Sequence, residues 1–267
     1  RLKPIQDYFK AQALLQAFDA EIRAKLTKHK GRQPLKGWMI VIDPGHGGLD
    51  PGAIVSNEDG LRRSIYVVED EYVYDIALRV YEQLKLLGAD VGVTVLSPNH
   101  TVRENIQASV TFVHEQNEVY NDEGYNRKRS NAVRPKASNL MQRVRIANRL
   151  IKGARRGKSL FISLHADNSP GRPKGPLTMY LDRKGKVDRR SKQFAQVMRK
   201  ALDSSDLPCQ IRGRSLGVLR NNQAHAEILV ETHNVHDKSD AYRLRFHKNR
   251  QRAADRIVDG VLAFARK

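Results

Sequence analysis

WMIVIDPGHGG, residues Trp38 to Gly48, is the stretch whose reading decides the fold. Its first half is a short apolar run rich in β-branched residues and stopped by Asp43-Pro44-Gly45, which predicts a buried strand. The turn that follows, Gly45-His46-Gly47-Gly48, sets an imidazole among glycines. Glycines there permit unusual backbone angles and a close approach to a metal or ligand.

On the C-terminal side the pattern alternates. A helix is expected from about Glu69 to Leu87, with Val73, Ile76, Ala77, Val80, Leu84 and Leu87 on one face and Gly88 as its stop. A strand VGVTVL follows it. Residues 98 to 137 are polar, low in apolar periodicity and rich in turns such as Asn121-Asp122-Glu123-Gly124, so they read as an insertion, a disordered loop in preference to a lid that shapes or covers a groove. Regular signals resume with a helix carrying Leu140, Val144, Ala147 and Ile151, then strands SLFISL (159–164) and LTMYL (177–181). A helix near 191–202, a strand EILVE (227–231) and a long helix bearing Ala254, Ile257, Val261 and Phe264 complete the chain. This alternation predicts an α/β fold, a mostly parallel sheet flanked by helices on both faces, with functional residues at the carboxyl ends of strands.

Before Trp38 the periodicity is helical. Ile5, Tyr8, Ala11, Leu15, Phe18 and Ile22 form one stripe over residues 4 to 28, and GRQPLKG (31–37) reads as a linker. The expected organisation is therefore an N-terminal amphipathic helix and linker over 1–36 and an α/β domain over 37–267 that carries the 98–137 insertion. Packing of the stripe on its own domain is the default. Membrane-surface binding fits less well, because Asp19 and Glu21 mix with the lysines of the polar face.

The 267 residues carry 48 Lys and Arg against 29 Asp and Glu, a formal charge of +19 that attracts polyanions. No nucleic acid is expected, because the basic residues are dispersed and neither a zinc finger nor an aromatic RNA-binding pattern occurs. Anionic envelope polymers or lipid head groups fit the charge equally well. No apolar stretch approaches the ~18 residues of a spanning helix. The single cysteine, Cys209, excludes an intramolecular disulfide and a multi-cysteine metal site, so a metal would need His and carboxylate ligands. The start at Arg1, without the charged, apolar, small-residue order of a signal, reads as a mature or trimmed form.

Candidate chemistry gathers at the predicted strand ends. His46 follows the first strand, His165 follows SLFISL, Glu69 opens the first long helix and Glu231 ends EILVE. Two imidazoles and a carboxylate are a donor set for catalytic zinc, with the fourth position open to water or substrate. Glu231 suits proton transfer. Taken one by one, a loop histidine is usually hydrogen-bonded in its turn, and a glutamate at a helix start complements the helix dipole. The compact HExxH pattern is absent, so these residues by themselves indicate a metal-assisted hydrolase of open substrate.

At these positions the sequence closely resembles the zinc-dependent N-acetylmuramoyl-L-alanine amidase family. MIVIDPGHGGLDPGA (39–53), EDEYVYDIAL (69–78), RVRIAN (143–148), SLFISLHADN (159–168) and EILVET (227–232) occur in the family's order, and the resemblance covers roughly residues 38 to 265. It implies one Zn²⁺ held by His46, Glu69 and His165, with Glu231 as catalytic carboxylate. The reaction implied is hydrolysis of the amide between N-acetylmuramic acid and L-alanine in peptidoglycan, in the cell envelope, periplasmic or secreted, with an envelope protein partner or activator left open. The rivals are an inactive amidase-like module that holds peptidoglycan, a charge-driven nucleic-acid binder, and a zinc hydrolase of another amide in the same polymer. The chain departs from the family after the last glutamate, where Thr232-His233-Asn234-Val235-His236 brings imidazoles beside it. His233 and His236 read as loop residues bonded to backbone in preference to a catalytic role. A second departure is His225-Ala226 in place of the family's proline before the last strand.

Overall fold

The computed structural model describes residues 3–28, 31–58, 64–128 and 130–266. In chain order its first half holds α1 (Lys3–Lys28), β1 (Met39–Pro44), β2 (Ile54–Glu58), β3 (Ser64–Val68), α2 (Glu69–Leu86), β4 (Asp90–Val93), β5 (Val95–Leu96), β6 (Val119–Tyr120), α3 (Glu123–Asn126) and α4 (Leu140–Ile151). The second half holds β7 (Ser159–Asp167), β8 (Leu177–Arg183), β9 (Lys186–Val187), α5 (Arg189–Leu202), β10 (Gln210–Arg214), β11 (Ala226–Asn234), α6 (Lys238–Leu244) and α7 (His247–Ala265).

The main sheet runs in the order β10-β8-β11-β7-β1-β4, with β9 paired to β8. Strands β4, β1, β7 and β11 are mutually parallel, whereas β8 runs antiparallel to β11 and carries β10 parallel to itself. The mostly parallel α/β architecture expected from the alternation is the one the chain adopts. Alternate residues serve opposite faces, as the strand period requires. Ile40, Ile42, Leu160, Ile162, Ile228 and Val230 enter one core with residues of α2, α5 and α7. Val41, Phe161 and Leu229 enter another with Ala147 and Ile151 of α4.

The helix starts are fixed by local chemistry. No side chain caps α2, so its first N–H groups donate to loop carbonyls, Glu69 to Ala53 (2.9 Å) and Asp70 to Pro51 (3.2 Å). Glu69, Asp70 and Glu71 in its first turn complement the dipole. Asp188 and Asp237 cap α5 and α6 by accepting from Ser191 N and Ser239 N.

VGVTVL is two strands, because Thr94 leaves the ladder to donate its hydroxyl to Asp43 and its carbonyl accepts from Asn121 N. Residues 210–214 and the hairpin of β2 with β3 were unread strands. The polar segment 98–137, apart from residue 129, which lies outside the described residues, is structured and anchored. Phe112 stacks on Tyr72 with ring centroids 4.5 Å apart, and β6 pairs with β5. The stretch read as a linker is pinned too, with Leu35 fully buried and its N–H donating to Leu87 O.

Helix α1 lies against α2. Ala11, Phe18 and Ile22 join the main core, and Phe18 stacks on Tyr81 at 6.2 Å. Around this stripe Asp7 pairs with Arg134, and Asp19 accepts from the Tyr81 hydroxyl (2.9 Å) and Lys85 (2.6 Å). Phe18→Ala is expected to destabilise the chain by about 3 kcal/mol, read from the shift of the urea midpoint. An undocked helix would lose almost nothing.

Glu227, buried at the start of β11, supplies a pH test. Burial first and then Asp188 push its carboxyl up to about 8, with Ser191 opposing. Between pH 4.5, its ordinary value, and about 8 the unfolded chain has released this proton and the folded chain retains it. Stability therefore falls as pH rises through that window. Glu227→Gln is expected to flatten that part of the stability–pH curve in denaturant titrations.

Candidate active site

His46 stands just past β1 with a positive φ of 61°, left-handed backbone that a non-glycine residue keeps only when its surroundings hold it. Arg143 of α4 provides the hold. Its Nη1 donates to Asp43 Oδ1 (2.9 Å) and Pro44 O (2.6 Å), and its Nη2 donates to His46 O. Two glycines give the imidazoles room. A Cβ at Gly45 would fall 2.5 Å from the His165 ring, and one at Gly52, whose φ is +67°, would fall 2.6 Å from Glu69 Oε2.

Glu69 begins α2 and points back over the sheet edge. Its Oε2 accepts from Ala53 N (2.8 Å) and its Oε1 from Ala166 N (3.0 Å). His165 belongs to β7 itself, because that strand continues past Leu164 to Asp167. In the ladder Glu231 of β11 is its direct neighbour. The four residues singled out in the sequence thus meet at one rim of the sheet.

Their geometry is tight. His46 Nε2, His165 Nδ1 and Glu69 Oε1 form a triangle with all three sides 3.1 Å. Donors on a tetrahedral ion with bonds of about 2.0–2.1 Å must lie roughly 3.3 Å apart, so the triangle suits one small divalent cation. Asp50 Oδ2 lies 3.0 Å from His46 Nδ1. When a cation takes the place of the Nε2 proton, that carboxylate holds the proton on Nδ1 and keeps Nε2 turned toward the triangle.

The electrostatics agree with the geometry. Burial draws the His46 imidazole down, but Asp50 and Glu69 outweigh burial and push it up to about 10. Burial raises Glu69, yet hydrogen bonds from His165 and His46 bring it below the usual carboxylate range. Glu231, only 9 % exposed, is pushed well above that range by burial, then by Glu69 and Asp167. Its Oε2 is shut from water with no hydrogen-bond partner among the described residues. Such an atom is costly unless a ligand or cation addresses it. His46, His165 and Glu231 line a cleft of about 320 Å³.

A second group, Asp70, Glu71 and His114, also brings donor atoms within 4.8 Å of one another. It is already neutralised from within the protein. His114 Nδ1 lies 2.6 Å from Asp70 Oδ2, and Arg103 pairs with Glu71. The histidines after Glu231 also find their places. His233 is not a loop residue but lies in β11, buried, with Nε2 4.0 Å from Asp240. His236 follows the strand with Nδ1 3.3 Å from Asn168 Oδ1.

Asp43, Asp50, Thr94 and Ser163 were not singled out in the sequence for the site. Asp43 accepts from Arg143, from the Thr94 hydroxyl and from Ser163 Oγ (2.7 Å), and so ties α4, β7 and the break after β4 to the His46 turn. The signal available for Asp50 was its place four residues after His46 in the same turn.

An α/β sheet whose carboxyl edge presents two imidazoles, a carboxylate and a buried acid beside a cleft defines the class of protein. A profile of the N-acetylmuramoyl-L-alanine amidase family matches residues 40–263, and the chain belongs to that family. It is 29 % identical over 237 residues to an uncharacterized cell wall amidase of Bacillus anthracis, a match that covers 86 % of this chain and 36 % of that protein. It is 25 % identical over 233 residues to the germination-specific N-acetylmuramoyl-L-alanine amidase of Bacillus subtilis, covering 86 % and 81 %. Among solved structures, AmiC2 of Nostoc punctiforme shares the fold with a TM-score of 0.58 and 22 % identity over 89 % of this chain and all of that one. The CwlD amidase of Clostridioides difficile, solved in complex with the GerS lipoprotein, does so with a TM-score of 0.57 and 20 % identity over 85 % and 98 %.

Arg143→Lys tests the hold on the His46 turn. A lysine cannot reach two carbonyls and a carboxylate at once, so divalent-metal affinity is expected to fall about 10- to 100-fold. Competition with a chromophoric chelator measures it, with circular dichroism confirming that the fold persists.

Proposed function

We propose that this chain is a peptidoglycan hydrolase that cleaves the amide between N-acetylmuramic acid and L-alanine, with one Zn²⁺ held by His46, Glu69 and His165 and with Glu231 as general base and acid. The observation that carries this reading is the 3.1 Å triangle of His46, His165 and Glu69 set in one cleft with the unpartnered carboxylate of Glu231. Family membership supplies the bond and the polymer.

When bound, zinc supplies a positive charge that polarises the amide carbonyl and acidifies the attacking water. The chain's own residues do the rest. Asp50 fixes the tautomer and orientation of His46, and the backbone N–H groups of Ala53 and Ala166 do the same for Glu69. Glu231 takes the proton of the attacking water at its carboxylate and delivers it to the alanine nitrogen as the C–N bond breaks. Burial raises the proton affinity of Glu231, and a cation nearby lowers it again, which sets the group between the two states that the cycle needs.

The site of action we infer is the cell envelope, periplasmic or secreted, as fits relatives that include a cell wall amidase. No helix among the described residues is long and apolar enough to cross a membrane. A protein partner or activator is compatible with the solved CwlD–GerS pair.

Purified protein incubated with defined muropeptides is expected to release the peptide from muramic acid, to stop on chelation and to resume with zinc, as read by product mass. Glu231→Gln is expected to keep its zinc while losing turnover by about 10³-fold. Full turnover in that variant would remove Glu231 from the mechanism, and products cut at another bond would remove the proposed reaction.

A further inference from the structure

The cleft that holds Glu231 does not end there. Ala137, Leu140 and Gly217 line it and also line a second hollow of about 300 Å³, so the two form one trough over the start of α4. Positive charge grows outward along this trough. At its inner end Asp43, Asp50 and Glu231 share the wall with Lys136, Arg143 and Arg214. The outer hollow is lined by Arg183 and Arg220 and has no acidic side chain in its wall.

Four of these cations differ from the arginines that build the fold. Arg143, Arg172 and Arg250 are buried against Asp43, Asp167 and Asp75. Lys136, Arg183, Arg214 and Arg220 reach solvent, and among the described residues their side chains make no ion pair or hydrogen bond. The outer pair shares its hollow with Leu140 and Met141, which are 37 % and 41 % exposed. Gly217 opposes that floor, since a Cβ there would come within 2.9 Å of Leu140 Cδ1. An apolar floor fenced by free guanidinium groups suits an extended peptide with small apolar side chains and free carboxylates.

We propose that this trough is the peptide-side subsite, and that it selects stem peptides whose carboxylates are free rather than amidated. Arg183 and Arg220 are the outer anchors, and Lys136 and Arg214 are the inner ones. The proposal rests on the reaction inferred above. It adds a direction to that reaction: the peptide runs from Glu231 outward past Leu140, and the glycan leaves on the other side.

Two muropeptides that differ only in carboxylate amidation test it, in the wild-type chain and in Arg183→Met/Arg220→Met. The wild type is expected to favour the acidic form through KM rather than kcat, with the preference shrinking as salt rises. In the double variant the preference is expected to fall about 2- to 25-fold. A preference that survives in the variant, or a wild type indifferent to amidation, overturns the subsite.

Calorimetry of the released acidic peptide on Glu231→Gln protein separates this proposal from the reaction itself. Peptide binding that depends on Arg183 and Arg220, found while the wild-type chain cuts no muropeptide, supports the subsite and defeats the reaction. Cleavage of both forms with equal KM does the reverse. Binding of a phosphodiester wall polymer in place of the peptide overturns the subsite as well.

Discussion

The carboxylate of Asp43, closed off from water at the end of β1, is the interaction on which the site depends. It accepts hydrogen bonds from Arg143, Thr94 and Ser163, and so gathers α4, the break between β4 and β5, and β7 around the turn that carries His46. A buried carboxylate is tolerated only when paired and hydrogen-bonded, and removing one partner of such a pair typically costs about 3–5 kcal/mol. Arg143 then uses its remaining donors on Pro44 and His46 carbonyls, which converts the stability of the pair into the strained left-handed geometry of His46. The backbone of His46 is held by a bond network that never touches the ring, and Asp50 orients the ring itself.

The same rim concentrates negative charge in a protein that is otherwise strongly basic. Glu69, Asp50 and Glu231 lie within one cleft region, and the shifts of His46 upward and Glu69 downward express how strongly the cluster seeks a positive charge. Glu231 answers in the opposite sense because it faces Glu69 and Asp167 from a buried strand position. Its neighbour in the ladder is His165, so the sheet register itself sets the acid beside the donor set. Positive charge returns a short distance away, on the trough beyond Leu140.

Much of this was legible in the chain. Glu69 was identifiable as a helix start because the apolar spacing from Val73 to Leu87 admits one helix only, and His46 because glycines flank it after an apolar run. The strands β2 and β10 escaped notice for a physical reason. IVSNE and QIRGR reach only the margin of the main core, through half-buried Val55 and Ile211, much of β10 is exposed, and neither has the apolar alternation that burial imposes. The strand β11 was read as ending at Glu231 because its apolar residues stop there. Its hydrogen bonds continue to Asn234, opposite Asp167, and take His233 into the interior.

By itself, the sequence determined where the central strands and the long helices lie, that the sheet would be covered on both faces, and which residue types would stand at its carboxyl edge. Those properties follow from periodicity, which records burial within a few residues of each position. Only the tertiary structure decided that three donors close a 3.1 Å triangle, that Asp43 and Asp50 support it, and that the cleft continues into a basic trough. Two sides of the triangle join residues 119 and 96 positions apart. They depend on the register of β1, β7 and β11 and on the packing of α4, which local patterning does not encode.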